Sequence, residues 1–165
     1  MNKFIRQFVS SVLIAVLLAG CGFQLREAYQ LPEKYSPVGI DSPRVYRDLG
    51  LILKQELERS SVILSDNTNS ANLVIRLQDV SETEELLTAS ATGSPLEREL
   101  ILNATVFWED REGTDVVDSE NFTLRRTYVY DERAVLSKRR EADRLMRDLE
   151  RELARRIILR MRQID

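Results

Sequence analysis

Few side chains in this 165-residue sequence could carry covalent or metal chemistry. Cys21 is the single cysteine, and there is no histidine. The usual ligand sets for transition metals and the histidine-based catalytic arrangements are therefore excluded. A serine nucleophile would need a lysine as its base, and Lys34, Lys54 and Lys138 lie in no recognisable serine–lysine pattern. The sequence predicts a noncatalytic protein without a metal or cofactor, whose one reactive group is the Cys21 thiol.

Clustered cations are the side chains that could bind an anion noncovalently. Arg125 and Arg126 lie on a predicted strand, and Lys138, Arg139 and Arg140 open a predicted helix. Exposed cations at a helix N-terminus oppose its dipole at about 0.3 to 1 kcal/mol each, so local helix stability does not explain the second group. An anionic ligand would explain it. The alternative is neutralisation by the acidic residues nearby, which are Glu132, Glu141 and Asp143.

The first twenty residues have the pattern of an export signal. A short cationic start precedes an apolar run at 8–18, which is shorter than the ~20 residues that span a bilayer and ends in small residues. The segment Leu18-Ala19-Gly20-Cys21 resembles the lipobox of bacterial lipoproteins. This resemblance implies cleavage between Gly20 and Cys21, with a diacylglycerol and an N-acyl chain on the cysteine. The alternatives are a secreted protein with one spare thiol or an N-terminal membrane helix.

The remaining chain has the size and charge of one acidic domain. We expect residues 1–20 to be removed, 21–36 to form a lipidated tether containing proline, and 37–165 to fold as a single domain. Without the two cations of the signal, 22 basic side chains face 27 acidic ones, which argues against nucleic-acid binding. Gly22 replaces the aspartate typical of inner-membrane retention. We therefore expect the periplasmic side of the outer membrane.

Hydrophobic periodicity predicts six regular elements in this domain. Alternation at period two indicates strands, and apolar residues at period 3.6 indicate helices. The predicted strands are 38–40, 73–78, 100–108 and 122–130, and the predicted helices are 42–60 and 138–162. Residues 110–115 read as a hairpin loop, whereas Glu82 to Pro95 reads as frayed strand ends or a mobile loop. The fold class is α+β, a two-layer sandwich of two helices on one mixed, mainly antiparallel four-stranded sheet.

One face of the predicted C-terminal helix is rich in arginine. At 100° per residue these side chains fall within an arc of about 80°, and they are Arg140, Arg144, Arg147, Arg151, Arg155 and Arg162. Acidic residues flank the arc, with Glu141, Asp148 and Glu152 on one side and Asp143 and Glu150 on the other. A solvated face with pairs such as Asp143–Arg147 and Glu152–Arg156 is one interpretation. Contact with an acidic or phosphorylated surface is the other.

Several segments resemble the LptE family of lipopolysaccharide-assembly lipoproteins. The opening Cys21-Gly22-Phe23-Gln24-Leu25-Arg26, followed by Leu31-Pro32, is similar to the start of the mature family members. Further resemblance follows in the same order along the chain, at Asn103-Ala104-Thr105-Val106, Arg126-Thr127-Tyr128-Val129-Tyr130 and Ala134-Val135-Leu136-Ser137-Lys138. Gln24 stands where the family often has histidine. The resemblance covers nearly the whole chain after the signal.

Family membership would imply a subunit of the outer membrane that fills the lumen of the β-barrel LptD and helps deliver lipopolysaccharide to the cell surface. Lipopolysaccharide carries phosphates and sugar acids, so the candidate binding residues are the five clustered cations named above. Two alternatives are a structural lipoprotein that binds peptidoglycan and, with less support, a lipoprotein hydrolase. The expected partners are therefore LptD, lipopolysaccharide and a membrane reached through the lipid anchor.

Overall fold

The structure is a computed structural model that describes residues 31–43, 48–89 and 95–164. The export signal, the cleavage site and Cys21 lie outside these ranges. The described elements are β1 (Val38–Asp41), α1 (Asp48–Arg59), β2 (Leu73–Ala89), β3 (Pro95–Asp110), β4 (Asp115–Val129) and α2 (Val135–Met161). No helix in this part of the chain is both long and apolar enough to cross a membrane.

The four strands form one mixed sheet in the order β1-β2-β3-β4. β1 is parallel to β2, whereas the β2–β3 and β3–β4 pairs are antiparallel hairpin neighbours. The predicted turn at 110–115 is confirmed. Asp110 Oδ1 accepts the backbone N–H groups of Glu112 and Thr114, both at 2.9 Å, and Gly113 supplies the positive φ of 81° that the turn requires.

The segment from Glu82 to Pro95 differs from its prediction as frayed ends or a mobile loop. β2 continues to Ala89 and β3 begins at Pro95, so most of the segment is paired strand, and only residues 90–94 lie outside the described ranges. A bulge between Gln78 and Ser81, where Asp79 has a φ of 50°, shifts the register partway along β2. The strand beyond this bulge is exposed along its length, which explains why its sequence lacks the apolar alternation of a half-buried strand.

Both helices cover the same face of the sheet. Leu49, Leu53 and Leu57 of α1 are buried, as the sequence pattern predicts, although residues 44–47 of the predicted helix start are outside the described part. On α2, Leu149, Leu153 and Ile157 are fully or almost fully buried against the sheet. The strands contribute their alternating inner residues to this core, which are Leu73, Ile75, Leu77, Leu100, Leu102, Ala104, Val106, Trp108, Phe122 and Leu124. The predicted two-layer α+β fold is confirmed.

The sheet has two distinct ends. At the end we call proximal, Leu73 of β2 pairs with Asp110 of β3, and Asn72 holds the chain just before β1 by donating its side-chain amide to Ser36 O at 2.5 Å. At the distal end, Ala89 pairs with Pro95 and the backbone N–H of Tyr130 donates to Leu96 O at 2.9 Å. The chain therefore enters the folded part at the proximal end, and α2 begins at the distal end.

Candidate functional site

A polar and aromatic cluster occupies the helix-facing side of the distal end. Glu84, Arg98 and Tyr128 come from three adjacent strands, and Glu84 Oε1 accepts from Tyr128 Oη at 2.6 Å and from Arg98 Nη1 at 2.7 Å. The Arg98 guanidinium also lies 4.0 Å from the centre of the Tyr130 ring, a cation–π contact. Register positions them: Arg98 pairs with both Leu86 and Tyr128, so the three side chains share one face.

The two acids of this cluster titrate away from their ordinary ranges. Burial opposes ionisation of Glu84, but the hydrogen bonds from Tyr128 and Arg98 outweigh it, so the pKa of Glu84 falls below 4.5. Burial, reinforced by the hydrogen bond to Glu84, raises the pKa of Tyr128 to about 12. At neutral pH the site thus holds a carboxylate, a neutral phenol and a guanidinium. The charges of Glu84 and Arg98 therefore balance, and the phenol of Tyr128 stays protonated.

Large apolar side chains are exposed around this cluster. Leu86 is 59% exposed, Leu96 is 47% exposed, and Leu136 at the start of α2 is 76% exposed. Leu87 and Val129 are also exposed at this end, Val129 on the opposite face of the sheet from its neighbour Tyr128. Exposed apolar side chains beside charged groups are typical of a binding site for an amphiphilic or protein ligand. We call Leu86, Leu96 and Leu136, together with Glu84, Arg98, Tyr128, Tyr130 and Arg139, the distal cluster.

The five predicted cations do not form a single site. Arg125 and Arg126 are neighbours on β4, so their side chains lie on opposite faces of the sheet. Arg125 donates to Glu99 on the face away from the helices at 2.7 Å, whereas Arg126 donates to Glu152 of α2 at 3.4 Å. Both have acidic partners within the fold, and neither lies in the distal cluster.

The three cations of α2 also separate from one another. The helix begins at Val135, so they lie beyond its first three residues and oppose the dipole less than the predicted start at Lys138 implies. Lys138 donates to Glu141 at 2.9 Å, which is one of the neutralising neighbours that the sequence suggests. Arg139 and Arg140 are exposed and have no ion pair in the described part of the chain. Arg139 is close enough to Glu84 to lower its pKa, so it belongs to the distal cluster.

Arg98 and the exposed leucines are site residues that the sequence did not single out. Arg98 stands in Leu96-Glu97-Arg98-Glu99, where acidic neighbours hide it from any count of clustered cations. One sequence feature could have indicated this site. Leu86-Leu87 stands between acidic and small polar residues, and exposed strands seldom carry paired leucines. Only the pairing of β2 with β3 brings these residues together.

Glu150 lies in a second unusual environment, between the two helices. The sequence places it on the exposed edge of the arginine arc, but its side chain is only 4% exposed and lines a groove with Arg147, Arg151 and residues of α1. Burial, then the negative charges of Glu82 and Asp48, raises its pKa to about 7, and the two arginines oppose this only in part. In the described ranges no three acidic side chains converge into a metal-binding group.

A family model described as "LptE: Lipopolysaccharide-assembly" matches residues 33–161, most of the chain. The LPS-assembly lipoprotein LptE of Pectobacterium atrosepticum is 27% identical over 164 residues, which cover 97% of this chain and 87% of the relative. The protein of that name from Photorhabdus laumondii is 31% identical over 91 residues, 55% of this chain and half of the relative.

Solved structures of bacterial lipoproteins share the fold. The crystal structure of rare lipoprotein B from Shewanella oneidensis has a TM-score of 0.64 and 27% identity, covering 75% of this chain and 92% of that one. A minor lipoprotein from Acinetobacter baumannii has a TM-score of 0.62 and 30% identity, covering 79% and 90%. Both solved structures cover about the same share of this chain as the family model does. The chain belongs to the LptE family of lipopolysaccharide-assembly lipoproteins of the bacterial envelope.

Proposed function

We propose that this protein is an outer-membrane lipoprotein, acylated at Cys21 with a diacylglycerol and an N-acyl chain, that fills the LptD barrel from the periplasmic side and contacts lipopolysaccharide with its distal cluster. The observation that carries the proposal is the separation of the two ends of the sheet. The chain enters at the proximal end, where a lipid anchor would hold it. The exposed cations and leucines lie at the distal end.

The length of the sheet supports this orientation. β3 has 16 residues, which at about 3.3 Å per residue is roughly 50 Å. The hydrocarbon core of a bilayer is about 30 Å thick. A domain anchored in the inner leaflet and standing along the barrel axis would therefore carry its distal cluster to the level of the outer leaflet. That is where lipopolysaccharide must arrive.

The chemistry of the distal cluster fits an amphiphilic anion. Arg139 of this cluster and Arg140, which follows it on α2, are exposed without ion-pair partners in the described residues, so they can pair with phosphates or sugar acids without losing an existing bond. Leu86, Leu96 and Leu136 can cover part of an acyl chain. Glu84 keeps Arg98 in place beside Tyr130 and balances its charge, so the cations available to an anionic ligand are Arg139 and Arg140.

The first experiment tests the barrel partner. The acylated protein is purified by an affinity tag from outer membranes solubilised in mild detergent, and the complex is weighed by light scattering or native mass spectrometry. We expect a β-barrel protein at one copy per copy of this chain. A preparation with no such partner, or sedimentation of the protein with purified cell wall instead, would contradict the proposal and favour a peptidoglycan-binding lipoprotein.

The second experiment tests the ligand site. Replacing Arg139 and Arg140 with serine is expected to weaken binding of purified lipopolysaccharide about tenfold, since two charge-assisted contacts are lost. Lys138 is kept because it already pairs with Glu141. Binding is measured by capture on immobilised lipopolysaccharide, and thermal unfolding is followed in parallel.

The matched control removes the same charge elsewhere. Arg59 on α1, which pairs with Glu56 at 2.5 Å, and Arg111 in the β3–β4 turn are exposed and lie away from the distal cluster. Arg59→Ser with Arg111→Ser should therefore leave lipopolysaccharide affinity within about twofold, with thermal unfolding followed to detect loss of the Arg59–Glu56 pair. Equal losses in both variants would mean that net charge, not the distal cluster, determines binding. Arg125→Ser should behave like the control because Arg125 lies on the opposite face of the sheet.

A further inference from the structure

One exposed face of α2 carries arginines that form no ion pair among the described residues. We propose that this face binds acidic side chains on the inner wall of the barrel partner, an inference that rests on the function proposed above. We define the arginine face as Arg140, Arg144, Arg147 and Arg155. It is distinct from the distal cluster, which it approaches only at Arg140.

Two of the acids that flank this face on the helix, Asp148 and Glu152, are engaged elsewhere. Asp148 accepts from Arg151 at 2.5 Å, and Glu152 accepts from Arg156 at 2.6 Å and from Arg126 of β4 at 3.4 Å. The predicted Glu152–Arg156 pair is thus present. The side chains of the arginine face form no ion pair or hydrogen bond within 31–43, 48–89 and 95–164, and the expected Asp143–Arg147 pair is absent there.

The arginine face is stabilised by nearby carboxylates only through space, without direct contact. Arg144 and Arg147 act through space on Asp148 and Glu150, whose carboxylates are respectively paired with another arginine and buried. Like charges at i and i+4, such as Arg140 and Arg144, destabilise a helix by a few tenths of a kcal/mol. The face spans 16 residues from Arg140 to Arg155, a rise of about 22 Å along the helix. Anions placed along that length would reduce the repulsion between the arginines and so stabilise the helix.

The position of the arginine face favours binding to a protein wall over binding to a membrane surface or a small ligand. α2 runs back along β4, as the Arg126–Glu152 and Arg160–Glu120 contacts show, so the face lies on the flank of the domain, parallel to its long axis. A membrane holding the lipid anchor would meet the proximal end, not the flank. A single phosphate needs cations that converge, whereas these side chains are spread along a convex helix. A protein wall bearing carboxylates matches a linear stripe of guanidinium groups.

The test reverses charge on the arginine face. The double variant is Arg144→Glu with Arg155→Glu. It leaves unchanged Arg140, which is near the distal cluster, and Arg147, whose charge favours the ionised form of Glu150. The acylated double variant is co-expressed with its own barrel and purified from solubilised outer membranes at about 0.15 M salt. We expect recovery of the barrel to fall about tenfold relative to the unmodified chain, with unchanged thermal unfolding and lipopolysaccharide affinity of the isolated protein.

The control applies the same charge change at Arg59 and Arg111, and barrel recovery should then stay within about twofold. Equal recovery for the arginine-face variant and the control would overturn the inference while leaving the proposed function in place. Failure of the unmodified chain to recover a barrel would overturn both. Binding to vesicles containing phosphatidylglycerol is the last measurement. If the reversed variant loses only this binding and keeps the barrel, a lipid surface replaces the wall and the inference is wrong.

Discussion

Trp108→Ala is expected to lower the free energy of unfolding by about 3 to 5 kcal/mol. The Trp108 side chain is fully buried on the helix-facing side of β3, where its register neighbours are Ile75 of β2 and Val117 of β4. Truncation removes the largest buried side chain of the core and leaves a cavity that two flanking strands cannot close. Urea unfolding followed by far-ultraviolet circular dichroism measures the loss, because this variant has no tryptophan left to report by fluorescence.

Trp108→Phe separates the size of the ring from its polar atom. Among the described residues the indole Nε1 is buried without a hydrogen-bond partner, and an unsatisfied donor costs about 1 to 3 kcal/mol. Phenylalanine removes that donor while retaining most of the apolar volume. The expected net cost is therefore about 1 kcal/mol or less. If phenylalanine were as destabilising as alanine, the indole N–H would have to be hydrogen-bonded in solution, and this explanation would fail.

Glu150→Gln is expected to stabilise the protein at pH 8, by up to about 3 kcal/mol. Burial and the nearby negative charges of Glu82 and Asp48 raise the pKa of Glu150 from 4.5 to about 7, although Arg147 and Arg151 act in the opposite direction. At pH 8 the carboxylate is ionised against this unfavourable environment. Glutamine keeps the shape of the side chain and removes the charge.

The pH dependence of the Glu150 contribution has a definite sign. A pKa that is higher in the folded than in the unfolded state means that the folded protein binds the proton more tightly. The associated stability is fully present below about pH 4.5 and is lost as pH rises through about 7. The stability difference between Glu150→Gln and the unmodified protein should therefore grow over this window and level off above it. Urea unfolding at several pH values measures this difference directly.

A matched substitution on the same helix checks that burial is the cause. Glu141 is exposed and pairs with Lys138, so Glu141→Gln should change the free energy of unfolding by no more than about 0.5 kcal/mol at any pH. Equal behaviour of the two variants would mean that helix charge, not the environment of Glu150, controls stability. An absence of stabilisation at pH 8 for Glu150→Gln would mean that Arg147 and Arg151 fully compensate the buried carboxylate.

The order and type of the elements were predictable because each depends on periodicity within one short segment. Alternation at Leu100 to Trp108 and apolar spacing from Leu149 to Ile157 are properties of a single strand and a single helix, and both are present in the structure. The distal half of β2 was not predicted. Its residues from Asp79 to Ala89 are exposed and acidic, so no buried face imposes a pattern, and it is a strand only because β3 pairs with it.

The resemblance to a lipobox at Cys21, the family resemblance and the arc of arginines on α2 could all be recognised in the sequence, because each depends on neighbouring residues or on helical geometry. Which charges have a partner depends on the tertiary structure. Arg126 takes Glu152 from another element, Glu84 joins Arg98 and Tyr128 across three strands, and Glu150 is buried between two helices. Ion pairs and burial depend on groups far apart in the chain, and the free energy of a charge depends on that surrounding protein.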